Sequence, residues 1–155
     1  KPDLLIDGTD NFKTRLLLHQ YSVKRGIPLI SGGTSPSEGQ SVCCIPKQTS
    51  CMNCLIDIER LEKANGERRR GCAQTPEASV VISNMILGGV MASSVRRIVN
   101  GEKVENGIFK YVSKDPQRIG FISVGKACGC YKDSIFVNWV KEIYGKALRA
   151  LVGRV

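Results

Sequence analysis

Four cysteines in two close pairs constrain this chain more than any other feature. Cys51 and Cys54 frame the stretch "CMNC", and Cys128 and Cys130 frame "CGC". Four thiolates in a tetrahedral array make a closed, structural zinc site. One pair lies in a loop ahead of a long apolar segment, and the other follows the last strand-like run. A Zn²⁺ held by Cys51, Cys54, Cys128 and Cys130 would therefore pin the end of the fold to its middle. The single histidine, His19, sits in the first predicted helix and is not placed to join them. The competing use of these residues is as four small buried hydrophobes, and the Cys128–Cys130 spacing is one residue tighter than usual. Cys43 and Cys44 are adjacent in a predicted strand, so their side chains point to opposite faces and cannot readily chelate one ion together. Core packing is the expectation for both. Seven cysteines, an odd number, without a secretory leader fit a reducing, cytoplasmic setting better than a disulfide scaffold.

The order of elements predicts an α/β fold. Leu4-Leu5-Ile6 is a short apolar run of the kind found in parallel strands, and it stops at "DGTDN". Thr9 or Asp10 is a candidate cap for a helix running to about Arg25, with Gly26 as its stop. A second strand is expected over Ile27–Ser31 and a third over Gln40–Ile45. The strand–helix–strand order predicts a right-handed crossover in a mainly parallel sheet. A long helix is predicted from the Thr75 cap and Pro76 to Gly101, apolar on nearly every side and so buried. Asn84, its serines and Gly88-Gly89 break the apolar run too often for a membrane span. "IFKYVSKDPQRIGFISV" predicts two strands around Lys114–Gln117. Residues 133–155 read as a helix with apolar doublets Ile135/Phe136, Trp139/Val140, Ile143/Tyr144, Ala147/Leu148 and Leu151/Val152, one broad face to pack on its own domain or a symmetry mate. The alternative for that face, with Lys141, Lys146, Arg149 and Arg154 beside it, is a membrane surface or partner.

The net charge of +9 suits an acidic partner or a nucleotide without choosing between them. Aromatic residues make up 6% of the chain, which offers no obvious base-stacking platform for nucleic acid.

Taken together, the motifs resemble the C-terminal part of the ubiquitin-activating-like family that includes MoeB, ThiF and HesA. "LLIDGTDNFKTR" is similar to that family's nucleotide-edge motif, an apolar strand followed by Asp-x-x-Asp-Asn. "PLISGGTSPSEGQ" resembles its Ser-Gly…Glu-Gly-Gln segment. "CMNC", then "GCAQT" before a long apolar helix, then a strand pair and a second cysteine pair follow in family order. The resemblance covers residues 1–130, the C-terminal part of a Rossmann-like activating domain with helices on both faces of its sheet. The terminal helix over 131–155 and the Cys-x-Cys pair lie outside the common pattern.

The resemblance implies a transferase chemistry. ATP and Mg²⁺ activate the C-terminal glycine of a ubiquitin-like or sulfur-carrier protein as an acyl-adenylate, and some members pass the acyl group to a cysteine. Asp10 would then hold Mg²⁺, a hard cation that favours carboxylate oxygen, and Asn11 would hydrogen-bond the nucleotide. Asp10 also has the reading of a plain helix cap, and both roles can coexist. Arg15 is a weaker candidate, read rather as part of a solvated helix face. The resemblance places the family's thioester or sulfur-linked cysteine at Cys72. That residue stands three positions before Thr75 and beside Arg68–Arg70, where helix-end potential and guanidinium charge favour thiolate. A packing role for Cys72 stays open. The resemblance also suggests a homodimer, with no nucleic-acid or membrane partner.

The chain begins at Lys1, directly in a strand-like run, and carries no G-x-G-x-x-G phosphate loop. Gly32-Gly33 follows a strand but lacks the third glycine and the helix. These residues are therefore expected to supply one wall of an ATP site. Two other classes compete: a non-catalytic zinc-stapled module that docks an acidic ubiquitin-like partner, and a fragment of a dinucleotide-linked oxidoreductase.

Overall fold

Strand β1 (Leu5–Asp7) is short because the apolar run closes on a buried aspartate. The computed structural model describes residues 2–68, 81–112 and 119–131. Helix α1 (Phe12–Arg25) follows, capped by Asn11, whose side chain accepts a hydrogen bond from the Thr14 N–H. The cap is thus Asn11 rather than Thr9 or Asp10. Gly26 ends the helix at φ 58°, a left-handed conformation that glycine adopts without penalty. Strand β2 (Leu29–Thr34) then lies parallel to β1, with Leu5 opposite Leu29 and Asp7 opposite Ser31.

The sheet has five strands in the order β1-β2-β3-β4-β5. Only the β1–β2 junction is parallel. Strand β3 (Glu38–Cys44) returns antiparallel after a tight connection in which the Ser35 N–H donates to the Glu38 carbonyl. So short a link permits only antiparallel pairing. Strands β4 (Gly107–Val112) and β5 (Ile119–Ser123) continue antiparallel, as the predicted strand pair. Within the described residues the sheet is therefore mixed, and the parallel character expected from the crossover is confined to its first two strands.

Helices α2 (Met52–Ile56), α3 (Ile58–Arg68) and α4 (Val81–Val99) complete the described elements. Strand alternation sorts the core into two layers. Leu29, Val42 and Cys44 pack with Met52, Ile58 and Tyr131, and against Phe12 and Leu16 of α1. Ile30, Cys43 and Ile45 pack on the other face, with Met91, Val95 and Ile98 of α4. Cys43 and Cys44 thus enter opposite layers as packing residues. Helices cover both faces of the sheet, as expected.

Helix α4 departs from its sequence reading. Leu87 is buried against the sheet, but Met85 is 71% and Val99 76% exposed. A helix lying on one sheet face buries one stripe, and no described element covers its outer side. No helix among the described residues is long and apolar enough to cross a membrane. The predicted helix over 133–155 and the cap at Thr75 lie outside the described residues.

His19 is buried in α1, the helix that packs on α3. Burial holds its pKa below the ordinary 6.5, against a weaker opposite pull from Glu59. The unfolded chain therefore takes up the His19 proton more readily than the folded one. The His19 contribution to stability is complete above pH 6.5 and is lost as pH falls from there toward the lowered folded value. The urea midpoint should decline on acidification over that window, and His19→Gln should flatten this part of the profile.

Candidate functional site

The parallel strands β1 and β2 end side by side, and their carboxyl ends form one polar corner. Asp7 is 1% exposed. Its Oδ1 accepts from the Thr9 N–H at 2.9 Å and the Thr9 hydroxyl at 2.7 Å, and its Oδ2 accepts from the Ser31 hydroxyl at 2.7 Å. Three donors satisfy a carboxylate that burial would otherwise penalise heavily. The first aspartate of the "DGTDN" stretch thereby shapes the loop after β1.

The second aspartate, Asp10, is exposed, and among the described residues its Oδ1 accepts a 3.3 Å hydrogen bond from the Asn11 amide. Its carboxylate faces solvent where a parallel strand gives way to a helix, the usual ligand edge of an α/β sheet. Asn11 has its Oδ1 occupied by the Thr14 N–H at 2.8 Å, so its Nδ2 group is the part that can reach a ligand.

Arg15 is not on a solvated face. It is 9% exposed and reaches back to the strand ends. Its Nη1 donates to the Ser31 hydroxyl at 3.3 Å, and its Nη2 donates to the Gly32 carbonyl at 2.7 Å and to the Thr9 carbonyl. The Gly32-Gly33 pair leaves room for close packing, of α4 side chains on Gly32 and of Arg15 on Gly33. A Cβ at Gly32 would lie 2.4 Å from the Met91 sulfur, and one at Gly33 would lie 2.7 Å from Arg15 Nη2. Sequence reasoning missed the Asp7–Ser31–Arg15 connection. The available signals were a polar residue closing an apolar strand, and an arginine one helical turn beyond the Asn11 cap.

The four paired cysteines come together at a second place. Their sulfurs all lie within 4.8 Å of one another. Cys51 stands at the N-terminal end of α2 and Cys54 one turn later, where the Leu55 N–H donates to the Cys51 carbonyl. Cys54 Sγ is 3.5 Å from Cys130 Sγ, and the Cys51 N–H donates to Cys128 Sγ at 3.1 Å. The approach is held by polar groups that the sequence did not announce. Asn106 accepts from the Ser50 N–H at 2.7 Å and donates to the Val124 carbonyl at 3.1 Å, while the Ser50 hydroxyl donates to the Lys126 carbonyl at 3.4 Å. Both cysteine-bearing loops are thus fastened to the same end of the β4–β5 pair.

As bare thiols Cys51 and Cys54 are held largely protonated, whereas against the pull of burial the hydrogen bonds from Cys130 and Cys51 hold the Cys128 thiol below its ordinary value. Burial pushes the Cys51 thiol far up, and burial with the Cys130 contact pushes Cys54 up to about 11. A bound divalent cation inverts that balance, because a coordinating thiol is deprotonated outright. A tetrahedral ion with bonds of ~2.3 Å separates its sulfurs by about 3.8 Å, so the cluster has the donor set and the spacing for a closed site. Cys72 lies outside the described residues.

Comparison with known proteins bears on the family and the fold. The model of the ThiF family matches residues 1–131. The sulfur carrier protein ThiS adenylyltransferase of Bacillus subtilis (strain 168) is 39% identical over 54 residues, which are 35% of this chain and 16% of that protein. The SAMP-activating enzyme E1 of Haloferax volcanii is 40% identical over 54 residues, 35% of this chain and 20% of that enzyme. These matches therefore span a fifth or less of the relatives' length. Among solved structures, the fold is similar to E. coli MccB bound to MccA-N7isoASN, with a TM-score of 0.64 and 16% identity over 84% of this chain and 41% of that one.

Proposed function

The chain belongs to the ThiF family, and on that premise we propose that it forms part of an enzyme that adenylylates the C-terminal glycine of a ubiquitin-like or sulfur-carrier protein. The observation that carries the reading is the exposed Asp10 carboxylate beside Asn11, at the joined ends of two parallel strands. The substrate carboxylate attacks the α-phosphorus of ATP, an oxygen–phosphorus bond forms, and pyrophosphate leaves with the electron pair of the bond that breaks. Asp10 would hold Mg²⁺, which when bound would offset negative charge on the transferring phosphate. Asn11 Nδ2 is placed to donate to the nucleotide. Asp7 acts indirectly by fixing the loop that presents both residues.

Cys51, Cys54, Cys128 and Cys130 are proposed to hold one structural Zn²⁺. Four protein ligands leave no open position, so its contribution is to folding rather than to chemistry. The same reading includes a homodimer and a cytoplasmic location. ATP–pyrophosphate exchange that depends on a carrier protein ending in glycine tests the assignment. Carrier binding without exchange, by the protein carrying its phosphate loop, would favour the docking module instead.

Cys72 is the proposed acyl acceptor. Adenylylation needs no thiol, because the attacking group is the substrate carboxylate, whereas transfer requires a thiolate to attack the acyl carbon of the adenylate, forming a thioester as the carbon–oxygen bond breaks and AMP leaves with its electron pair. Cys72→Ala is therefore expected to abolish thioester or sulfur-linked product while pyrophosphate exchange persists. Normal downstream transfer in that variant would remove Cys72 from the mechanism.

A further inference from the structure

We propose that Arg15 is a positioning residue for the nucleotide edge, a clamp that sets where the β1–α1 loop presents Asp10 and Asn11. The inference deepens the adenylylation reading and rests on it for its catalytic consequence. The structural part stands on hydrogen bonds alone. The loop from Gly8 to Asn11 is tied on one side through Asp7, which holds Thr9 by its N–H and hydroxyl. On the other side the Arg15 guanidinium holds the Thr9 carbonyl. The same guanidinium holds the Gly32 carbonyl and the Ser31 hydroxyl of β2, and that hydroxyl donates on to Asp7. Thr9 is thus gripped at both of its backbone polar groups, one residue before Asp10.

Only arginine fits this place. Its planar fork offers donors in several fixed directions, and here they meet three acceptors from two separate segments. A lysine ammonium is a compact point charge that cannot span the same three acceptors. The surroundings are shaped for the fork. Gly33 has no side chain where a Cβ would stand 2.7 Å from Nη2 and 3.1 Å from Nη1. Burial keeps water from replacing the lost bonds, so loosening the guanidinium loosens the loop.

Two variants test this. Arg15→Lys removes the fork but keeps the charge. Gly33→Ala keeps the arginine and pushes its guanidinium off its acceptors. Native-state hydrogen exchange is measured on both in the 155-residue chain, and ATP–pyrophosphate exchange in the full-length protein. We expect the amides of Thr9 and Thr14, which donate to Asp7 and Asn11, to exchange at least tenfold faster in both variants, while amides shared by β3 and β4 keep their protection, since local opening is separable from global unfolding. We also expect kcat/KM for pyrophosphate exchange to fall by about tenfold to a hundredfold, with KM for ATP raised, as displacement of positioned groups by about 1 Å can cause. A residue serving stability alone would lower protection everywhere and leave KM unchanged, and that result overturns the proposal. Unchanged protection of Thr9 and Thr14 in both variants also overturns it. If the unaltered protein exchanges no pyrophosphate, the adenylylation reading fails, and the amide measurements still decide whether Arg15 holds the loop.

Discussion

Purified protein is expected to carry one zinc per chain, and a strong chelator or Cys51→Ser should cost most of its folding free energy. Cys54 and Cys130, whose sulfurs meet at 3.5 Å, are 76 residues apart in sequence, so an ion between the two pairs closes a long stretch of chain. Structural zinc contributes on the order of 10 kcal/mol of apparent folding energy in small domains. A domain of ordinary size has about 5–15 kcal/mol in total. Loss of the metal is therefore comparable with the whole margin. The polar ties through Ser50 and Asn106 soften the effect, because they hold the loops near each other without the ion. Cys51 is 1% exposed and packs within the Met52–Tyr131 layer, so its replacement also disturbs the core. Cys54 and Cys130 are exposed, and Cys54→Ser and Cys130→Ser isolate the metal contribution more cleanly. Metal analysis with a thermal melt decides the matter. Protein without zinc, whose four thiols react freely while it stays folded, would sink the assignment.

The second large effect concerns catalysis. In a form of the protein that exchanges pyrophosphate, Asp10→Ala should lower the rate by about a thousandfold, the scale expected when a group that organises transition-state charge is removed. Among the described residues the side chain accepts one 3.3 Å hydrogen bond, from its neighbour Asn11, so its loss should leave the melting temperature nearly unchanged. Asp7→Ala should behave differently. It leaves the Ser31 hydroxyl and both Thr9 donors without their acceptor, so stability and activity fall together. The 155 residues by themselves should not catalyse the exchange. A phosphate cradle needs backbone N–H groups from a glycine loop at a helix start, and cations against the triphosphate. The glycine pair present here is filled by Met91 and Arg15 instead. On the proposed reading, adding in trans a segment that carries such a glycine loop should restore exchange. Exchange by the isolated chain at full-length rates would place the phosphate site in residues assigned here to packing.

Much of the architecture was legible before any coordinates. The Leu4–Ile6 run, the Gly26 stop and the βαβ order located the first crossover. "IFKYV" and "RIGFISV" located the β4–β5 pair. Such features are legible because hydrophobic period and glycine conformation act over a few residues. The paired spacing of Cys51/Cys54 and Cys128/Cys130 also carried a long-range contact, because thiols presented in close pairs have few uses in a chain of this kind.

Other features depended on neighbours distant in sequence. Arg15 reads as one more charge on a helix, and only the parallel register of β1 against β2 brings the Ser31 hydroxyl and the Gly32 carbonyl within its reach. The two aspartates of "DGTDN" look alike in sequence. Tertiary structure divided them, burying Asp7 under three donors and leaving Asp10 to solvent. The apolar composition of α4 predicted full burial, whereas a single sheet face accepts only one stripe of a helix. Asn106, with nothing in its local sequence to single it out, became the tie between the cysteine loops. Local propensity and periodicity are properties of the chain itself. The partner of a buried polar group is set by which strands lie side by side, and that is decided only when the sheet assembles.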